Sequence, residues 1–295
     1  MATEFNSPDP MSHGFRGHQK KRFTRWNLLP VFALVCATIA TFYPMQTTFD
    51  ISAVTDRIRC ETSERTVSFE WAFRQAELER GWRGAEERLD EGTFRPGQNI
   101  EIHFERIGHG DLKIDCHAHD TNNSVGTLSI GDHQEKLPER AVFRLHPSSD
   151  KPSLVYVIVG RVSLGNALKP LLPEADGAIL HDGAITPIGH SIFSRSRYEA
   201  DATTLEPGDE FAVDPDGDSD GYGLILVDDR PSMNVTYRVL GRRGYVNRFG
   251  GTGFEVEISL LSRIKHDSVI QGFWAGFIFI AGLRISRSKK GGSEK

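Results

Sequence analysis

Two stretches of the chain are continuously apolar, and the long segment between them alternates. From Asn27 to Tyr43 (NLLPVFALVCATIATFY) no charge occurs. A run of about 17 residues can span a bilayer if its helix stands nearly upright. Pro30 falls in the first turn, where a helix tolerates it. The second run, Val269 to Leu283 (VIQGFWAGFIFIAGL), is shorter and holds Gln271. On length alone it would also suit a buried or interfacial helix. Arg284, Arg287, Lys289, Lys290 and Lys295 follow at once, a basic stop that favours the membrane reading.

The middle reads as β. Asn99 to Arg106 (NIEIHFER), Asp111 to Cys116 (DLKIDC), Ala141 to His146 (AVFRLH) and Leu154 to Leu164 (LVYVIVGRVSL) alternate or run apolar. Gly223 to Asp228 (GLILVD), Asn234 to Leu240 (NVTYRVL) and Gly253 to Leu261 (GFEVEISLL) do the same. Strands at this spacing suggest a sandwich or barrel. One short helix is expected within Phe69 to Leu89 (FEWAFRQAELERGWRGAEERL), where Glu, Arg, Ala and Leu dominate. The fold class is therefore a mainly β domain with one short helix, flanked by two transmembrane helices. The expected partition is a disordered basic tail over 1–26, a first span over 27–44, the β-rich domain over 45–267, a second span over 268–285 and a basic tail over 286–295.

Charge sets the orientation. The outer flanks hold Arg16, Lys20, Lys21, Arg22 and Arg25 before the first run and the five cations after the second. The inner flanks hold only Arg57, Arg59, Arg263 and Lys265. The expectation is a bacterial inner-membrane protein of two helices with both termini cytoplasmic and the β domain periplasmic. The rival reading of the first run is a cleaved secretory signal, since small residues surround Ala37 to Ala40. A lipoprotein signal fits less well, because Val35 stands where a small residue should precede Cys36. Gly272 and Gly276 make a small-xxx-small pair, and Ala33 and Ala37 share a face of the first run. The two helices could pack closely through them, and a homo-oligomer is expected.

The 295 residues carry a formal charge of −5, small for this size, and the chain as a whole offers no field that would gather DNA or RNA. Three cysteines are too few for a disulfide scaffold, and only Cys60 and Cys116 could pair. In Asp115-Cys116-His117-Ala118-His119-Asp120 a strand would put His117 and His119 on one face, as metal-binding imidazoles require, but a third ligand is not evident. His103 and Glu105 would share a face of the preceding strand, a pattern that a solvated sheet face explains as well. Asp214, Asp216, Asp218, Asp220 and Gly221 start like a calcium loop, yet counted from Asp216 the twelfth position is Val227, where a bidentate Glu belongs. An acidic hairpin loop is the simpler reading, and no metal is expected. The segment Gly241 to Gly253 (GRRGYVNRFGGTG) offers Arg242, Arg243 and Arg248 for phosphate and Tyr245 and Phe249 for a base. Solvated turns explain it equally, as they do Arg195 and Arg197. No nucleophile elbow, phosphate loop or dinucleotide fingerprint occurs, so neither an enzyme nor a cofactor is expected.

A membrane helix, a β domain opening with FDISAVTDRIRC, a glycine-punctuated run containing GRVSLG and LEPGDEF, and a closing helix after ISLLSRIKHDSVIQGFW together resemble the two-transmembrane β-domain effectors of bacterial anti-phage defence systems. The resemblance is one of layout over residues 27–285. It implies a non-enzymatic effector that senses a ligand such as a cyclic nucleotide and compromises the host membrane. One implication conflicts with the flanking charges, since a cytosolic nucleotide cannot reach a periplasmic domain. A structural or assembly protein of the cell envelope, binding a protein or glycan through its periplasmic domain, agrees with them. Reporter fusions after Lys295 and within the Asp214 to Asp220 loop should report opposite sides of the membrane; a shared compartment would defeat the two-helix topology.

Overall fold

A computed structural model describes residues 28–42, 46–63, 69–82, 84, 86–108, 110–120, 123–146, 153–165, 179–191, 196–215, 220–248 and 252–290. The expected tail over 1–26 lies outside these, and of the expected tail over 286–295 residues 286–290 are described, as the end of a helix. The chain divides into two units, one of Met1–Ala37 with Phe273–Lys295 and one of Thr38–Gly272.

The larger unit is β, as the alternation predicts. Its strands are β1 (Thr47–Thr55), β2 (Arg57–Glu61), β3 (Trp71–Arg80), β4 (Glu86–Pro96), β5 (Ile100–Ile107), β6 (Asp111–Ala118), β7 (Gly126–Ile130), β8 (His133–Leu137) and β9 (Arg140–Leu145). They continue with β10 (Leu154–Leu164), β11 (Leu180–His190), β12 (Arg197–Glu199), β13 (Thr203–Leu205), β14 (Glu210–Pro215), β15 (Gly221–Val227), β16 (Met233–Asn247) and β17 (Phe254–Val256). All the pairings described are antiparallel.

The sheet can be followed strand by strand from β8 through β7, β4, β3, β9, β6, β5 and β2 to β10. Next come β14 and β15, which lie in line between β10 and β16 as one interrupted strand. Beyond β16 stand β1 and β11, the latter carrying β12 and β13. Inward residues such as Phe49 and Ile51 on β1, Ile100, Ile102 and Phe104 on β5 and Tyr237 on β16 join one continuous core.

The first half of this sheet curls. Trp71, at the start of β3, reaches β10 and donates from Nε1 to the Val157 carbonyl at 2.9 Å. Its ring meets Phe94, Phe104 and Tyr156 at centroid distances of 5.9, 5.3 and 5.5 Å. Each such aromatic pair adds roughly 0.5–1.5 kcal/mol to the burial of its area. Tyr156 carries its hydroxyl into this apolar cluster, and burial holds its pKa above the ordinary tyrosine value.

The helix expected within Phe69 to Leu89 is instead the β3–β4 hairpin. Inward positions fall at Trp71, Phe73, Ala76 and Leu78, because alternation reverses at Gln75, whose φ is +54°. That spacing imitates a helical stripe. Gly81, with φ +73°, then opens a turn that helix-forming neighbours do not overcome. The last expected strand is also shorter than Gly253 to Leu261, ending at Val256. Ser259 accepts from the Ser262 amide at 3.1 Å and caps α2 (Leu260–His266). Asp267, 1% exposed, then caps α3 (Ser268–Lys290) by accepting from the Val269 and Ile270 amides at 2.9 and 3.3 Å. The Ser191 hydroxyl donates to the same oxygen at 3.1 Å, tying this corner to the end of β11.

The smaller unit contains most of α1 (Leu28–Phe42) and of α3. The fifteen residues of α1 rise roughly 22 Å, against a hydrocarbon core of about 30 Å. Among the described residues no helix is long and apolar enough to cross a membrane. The second apolar run does continue as helix into its cations, reaching Lys290. Gly272 and Gly276 face open space, where an added Cβ would meet nothing within 4 Å. Ala33 and Ala37 lie in α1, with side chains outside the described set.

The pairing considered for Cys60 and Cys116 is corrected. Cys60 on β2 registers with Ile102 on β5, which registers with Cys116 on β6. Two strand spacings separate their backbones by roughly 9–10 Å, beyond the reach of a disulfide. Both are buried free thiols, and burial pushes the Cys60 thiol up to about 12. Native alkylation followed by mass spectrometry should leave both unmodified until denaturant is added, with no Cys60–Cys116 bridge in the mature protein.

Candidate functional site

The outer face of β2, β5, β6, β9, β3 and β4 is a registered lattice of charge. One row runs Arg57, Glu105, Lys113, Arg144, Glu77 and Arg88 across the six strands. The next runs Arg59, His103, Asp115, Val142, Glu79 and Glu86. A third begins with Glu61, Glu101, His117 and Arg140. Mixed signs side by side stabilise such a face modestly, by roughly 0.2–1 kcal/mol per favourable cross-strand pair.

Around His103 and His117 the lattice tightens into a network. Arg140 donates from Nε and Nη2 to the two Asp115 oxygens at 3.2 and 3.0 Å. His117 Nε2 lies 2.8 Å from Asp115 Oδ1. Glu101 receives Arg59 at 2.5 Å and His103 Nε2 at 2.7 Å. The His103 and His117 rings meet edge to face at 6.2 Å. Val142 points to this face yet is 1% exposed, so the charged side chains close over it.

Trp82, just beyond β3, lies over the network. The Arg140 guanidinium is 4.7 Å from its ring centroid and His117 is 5.6 Å away. The tryptophan is still 65% exposed. An aromatic surface held from below by a cation and open above, ringed by donors and acceptors, can stack a flat or hydrocarbon-faced ligand and bond its polar edge. Among the described residues no group of three or more His, Cys, Asp or Glu could hold a metal ion. The sequence anticipated a pair of His117 with His119, but His119 turns to Glu61 at 3.2 Å, and His103 is the neighbour of His117.

The arginine-rich stretch on β16 is dispersed. Register shifts between Asp214 and Pro215, so that Asp214 faces Arg243 and Pro215 faces Gly241, leaving Arg242 as the extra residue of a bulge. Arg243 reaches Glu255 on β17 at 3.3 Å. Tyr245 is half-buried on the same strand. Arg248 instead serves the fold: its Nε and Nη2 donate to Asp209 at 3.2 Å each, and Phe254 lies 5.2 Å beneath. Asp209 has 0% exposure and also accepts from the Glu206 amide at 2.8 Å. Phe249 and Arg195 lie outside the described residues, as do Asp216 and Asp218 of the acidic loop. Asp220, at its end, accepts from Ser63 at 2.5 Å.

A separate groove of about 870 Å³ opens where β3 and β4 approach the start of β10 and the end of β15. Glu91, Asp228 and Asp229 line it against Arg74 and His146.

No protein-family model matches the chain, and neither does any curated protein or solved structure.

Burial holds His103 below the ordinary histidine value of 6.5, with Arg57 and Arg59 acting in the same sense and Glu101 partly opposing. The unfolded chain therefore takes up this proton at a higher pH than the folded one. That contribution to stability is present above 6.5 and is lost as pH falls from there toward the folded value. Denaturant titrations in that window should show stability declining with acid, and His103→Asn should flatten the decline.

Proposed function

We propose that the protein is a non-enzymatic, membrane-anchored binding protein of the cell envelope whose β domain recognises a glycan-like ligand over Trp82. The observation that carries this reading is the composition of the surface around that ring. Arg140, whose guanidinium lies 4.7 Å from the ring centroid, already bonds Asp115, and Arg59 in the same network bonds Glu101. A phosphodiester laid on Trp82 would confront those carboxylates. A neutral, polyhydroxylated ligand can share hydrogen bonds with both partners of each pair while its C–H face lies on the indole.

The anchoring half of the proposal rests on the terminal helices. α1 exposes Val31, Phe32, Leu34, Val35, Ile39 and Phe42, so its exposure is not confined to one narrow stripe. α3 exposes Ile278, Phe279 and Leu283. Apolar surface wrapped around a helix calls for lipid or protein around it. Cations cluster outside the two runs, which favours both termini on the cytoplasmic side.

The defence-effector reading shares the anchor and differs in ligand and consequence. Its nucleotide would need the β16 arginines, of which Arg248 is bound to buried Asp209. Titration of the purified protein with neutral oligomers of N-acetylglucosamine should give saturable binding that Trp82→Ala weakens at least tenfold, with the thermal transition of the variant kept. Binding of a cyclic dinucleotide in place of the glycan, together with growth arrest on expression, would reverse the choice.

A further inference from the structure

Outward positions of β10 and β15 form an apolar array on the opposite arm of the sheet from the charged lattice. Val155 registers with Leu226, Val157 with Leu224 and Val159 with Tyr222. Val155, Tyr222, Leu224 and Leu226 are 55, 58, 48 and 37% exposed, and Val157 and Val159 are half-buried. Six such side chains leave roughly 400–500 Å² of contiguous apolar surface, the order of the largest patch on an ordinary monomer. Isolated apolar residues need no explanation; a registered block of this size is often functional.

The border of the array says what covers it. On one side it meets Asn234, Thr236 and Arg238 of β16, and beyond them Val54, Ser52 and Asp50 of β1. Arg238 is bonded to Asp50, so the charges at this border cancel. No unpaired charge stands among these twelve positions, all of them described. Among these twelve positions an anionic lipid surface would find no free cation, and only Arg161 stands exposed at the next outward position of β10. An added strand would pair at an edge and so would not cover this face, in which β15 is already bonded on both sides, to β10 and to β16. A second identical face fits: apolar rows meet apolar rows, small polar residues meet their like, and each Arg238–Asp50 pair is internally neutral.

We infer that two copies of the chain associate through the faces of β10 and β15, about a two-fold axis near Val157 and Leu224. The packing is sheet on sheet, with the two layers about 10 Å apart. Two such patches bury roughly 800–1,000 Å² in total, at the low end of the range for specific contacts, so the association is reversible. It is independent of any helix contact through Gly272 and Gly276 and of what Trp82 binds. Its consequence for recognition is that the dimer presents two Trp82 surfaces, and a polymeric ligand would be held by avidity.

Sedimentation equilibrium of the full chain in detergent micelles tests this. The wild type should populate a dimer, Leu224→Lys and Val157→Lys should each weaken it at least tenfold, and the paired change Gly272→Ile and Gly276→Ile should leave it intact. A short bismaleimide should join two copies through Leu224→Cys and not through Glu87→Cys on β4, both in a Cys36→Ala background. The crosslink reads the contact in a protein that keeps its apolar face, so it stands even where a lysine variant folds poorly. A monomeric wild type at about 100 μM, where contacts of this size should be populated, would overturn the proposal. So would a dimer lost only on the glycine changes, or equal crosslinking at both cysteines.

Discussion

Everything in the β domain is organised by β10, because that strand must hydrogen-bond along both edges while its side chains serve two halves of one sheet. Its first residues pair with β15, and its last pair with β2 on one edge and β14 on the other. Gly160 marks the change. Its φ is +133°, and an added Cβ would sit 2.1 Å from the Glu61 carbonyl oxygen, so β2 can close on β10 only against a glycine. Its own carbonyl accepts from Tyr237 at 2.6 Å, an interaction that pins β16 to the same point. Trp71 adds the third tie, from β3 to Val157. Strands far apart in sequence are thereby fixed to one element, and a sheet this long holds its curl.

Much of this was legible in the alternation of apolar and polar residues, and where it failed the cause is local. β5 and β10 were read to within a residue because their inward side chains repeat every second position without a break. β3 was read as a helix because a single residue, Gln75, takes a left-handed conformation and reverses the phase. No propensity marks glutamine for that role. β17 was read too long because Ser259 is both a plausible strand residue and a good helix cap. The cysteines looked pairable because sequence does not say that β5 stands between them.

The site was harder, since it is a property of register. Asp115, His117, Glu101 and His103 could each be assigned a face from alternation, but only the β5–β6 register brings the two histidines together. Arg140 comes from β9, and Trp82 from the turn after β3. The one available signal was an aromatic between glycines, GWRG, where no core position was expected. Conversely, the arginine cluster on β16 looked like a phosphate site because its counterions, Asp209 and Glu255, lie 39 and 12 residues away in sequence. A basic cluster read from one strand says nothing about the carboxylates that other strands bring to it.

The two sheet faces now bear on each other. Exposed ion pairs contribute little individually, typically below about 1 kcal/mol, so the charged lattice is not there chiefly for stability. What a dense network does supply is fixed geometry. With Arg140 bonded to both Asp115 oxygens and lying under the indole, Trp82 would give up less freedom to the ligand proposed for it. The β10–β15 array is the opposite case, apolar and without directional bonds, suited to a contact that tolerates sliding and reversal. The proposed recognition over Trp82 and the proposed pairing through β10 and β15 can coexist on one sheet because both sets of positions point outward, leaving the core beneath them to be filled by the alternate residues.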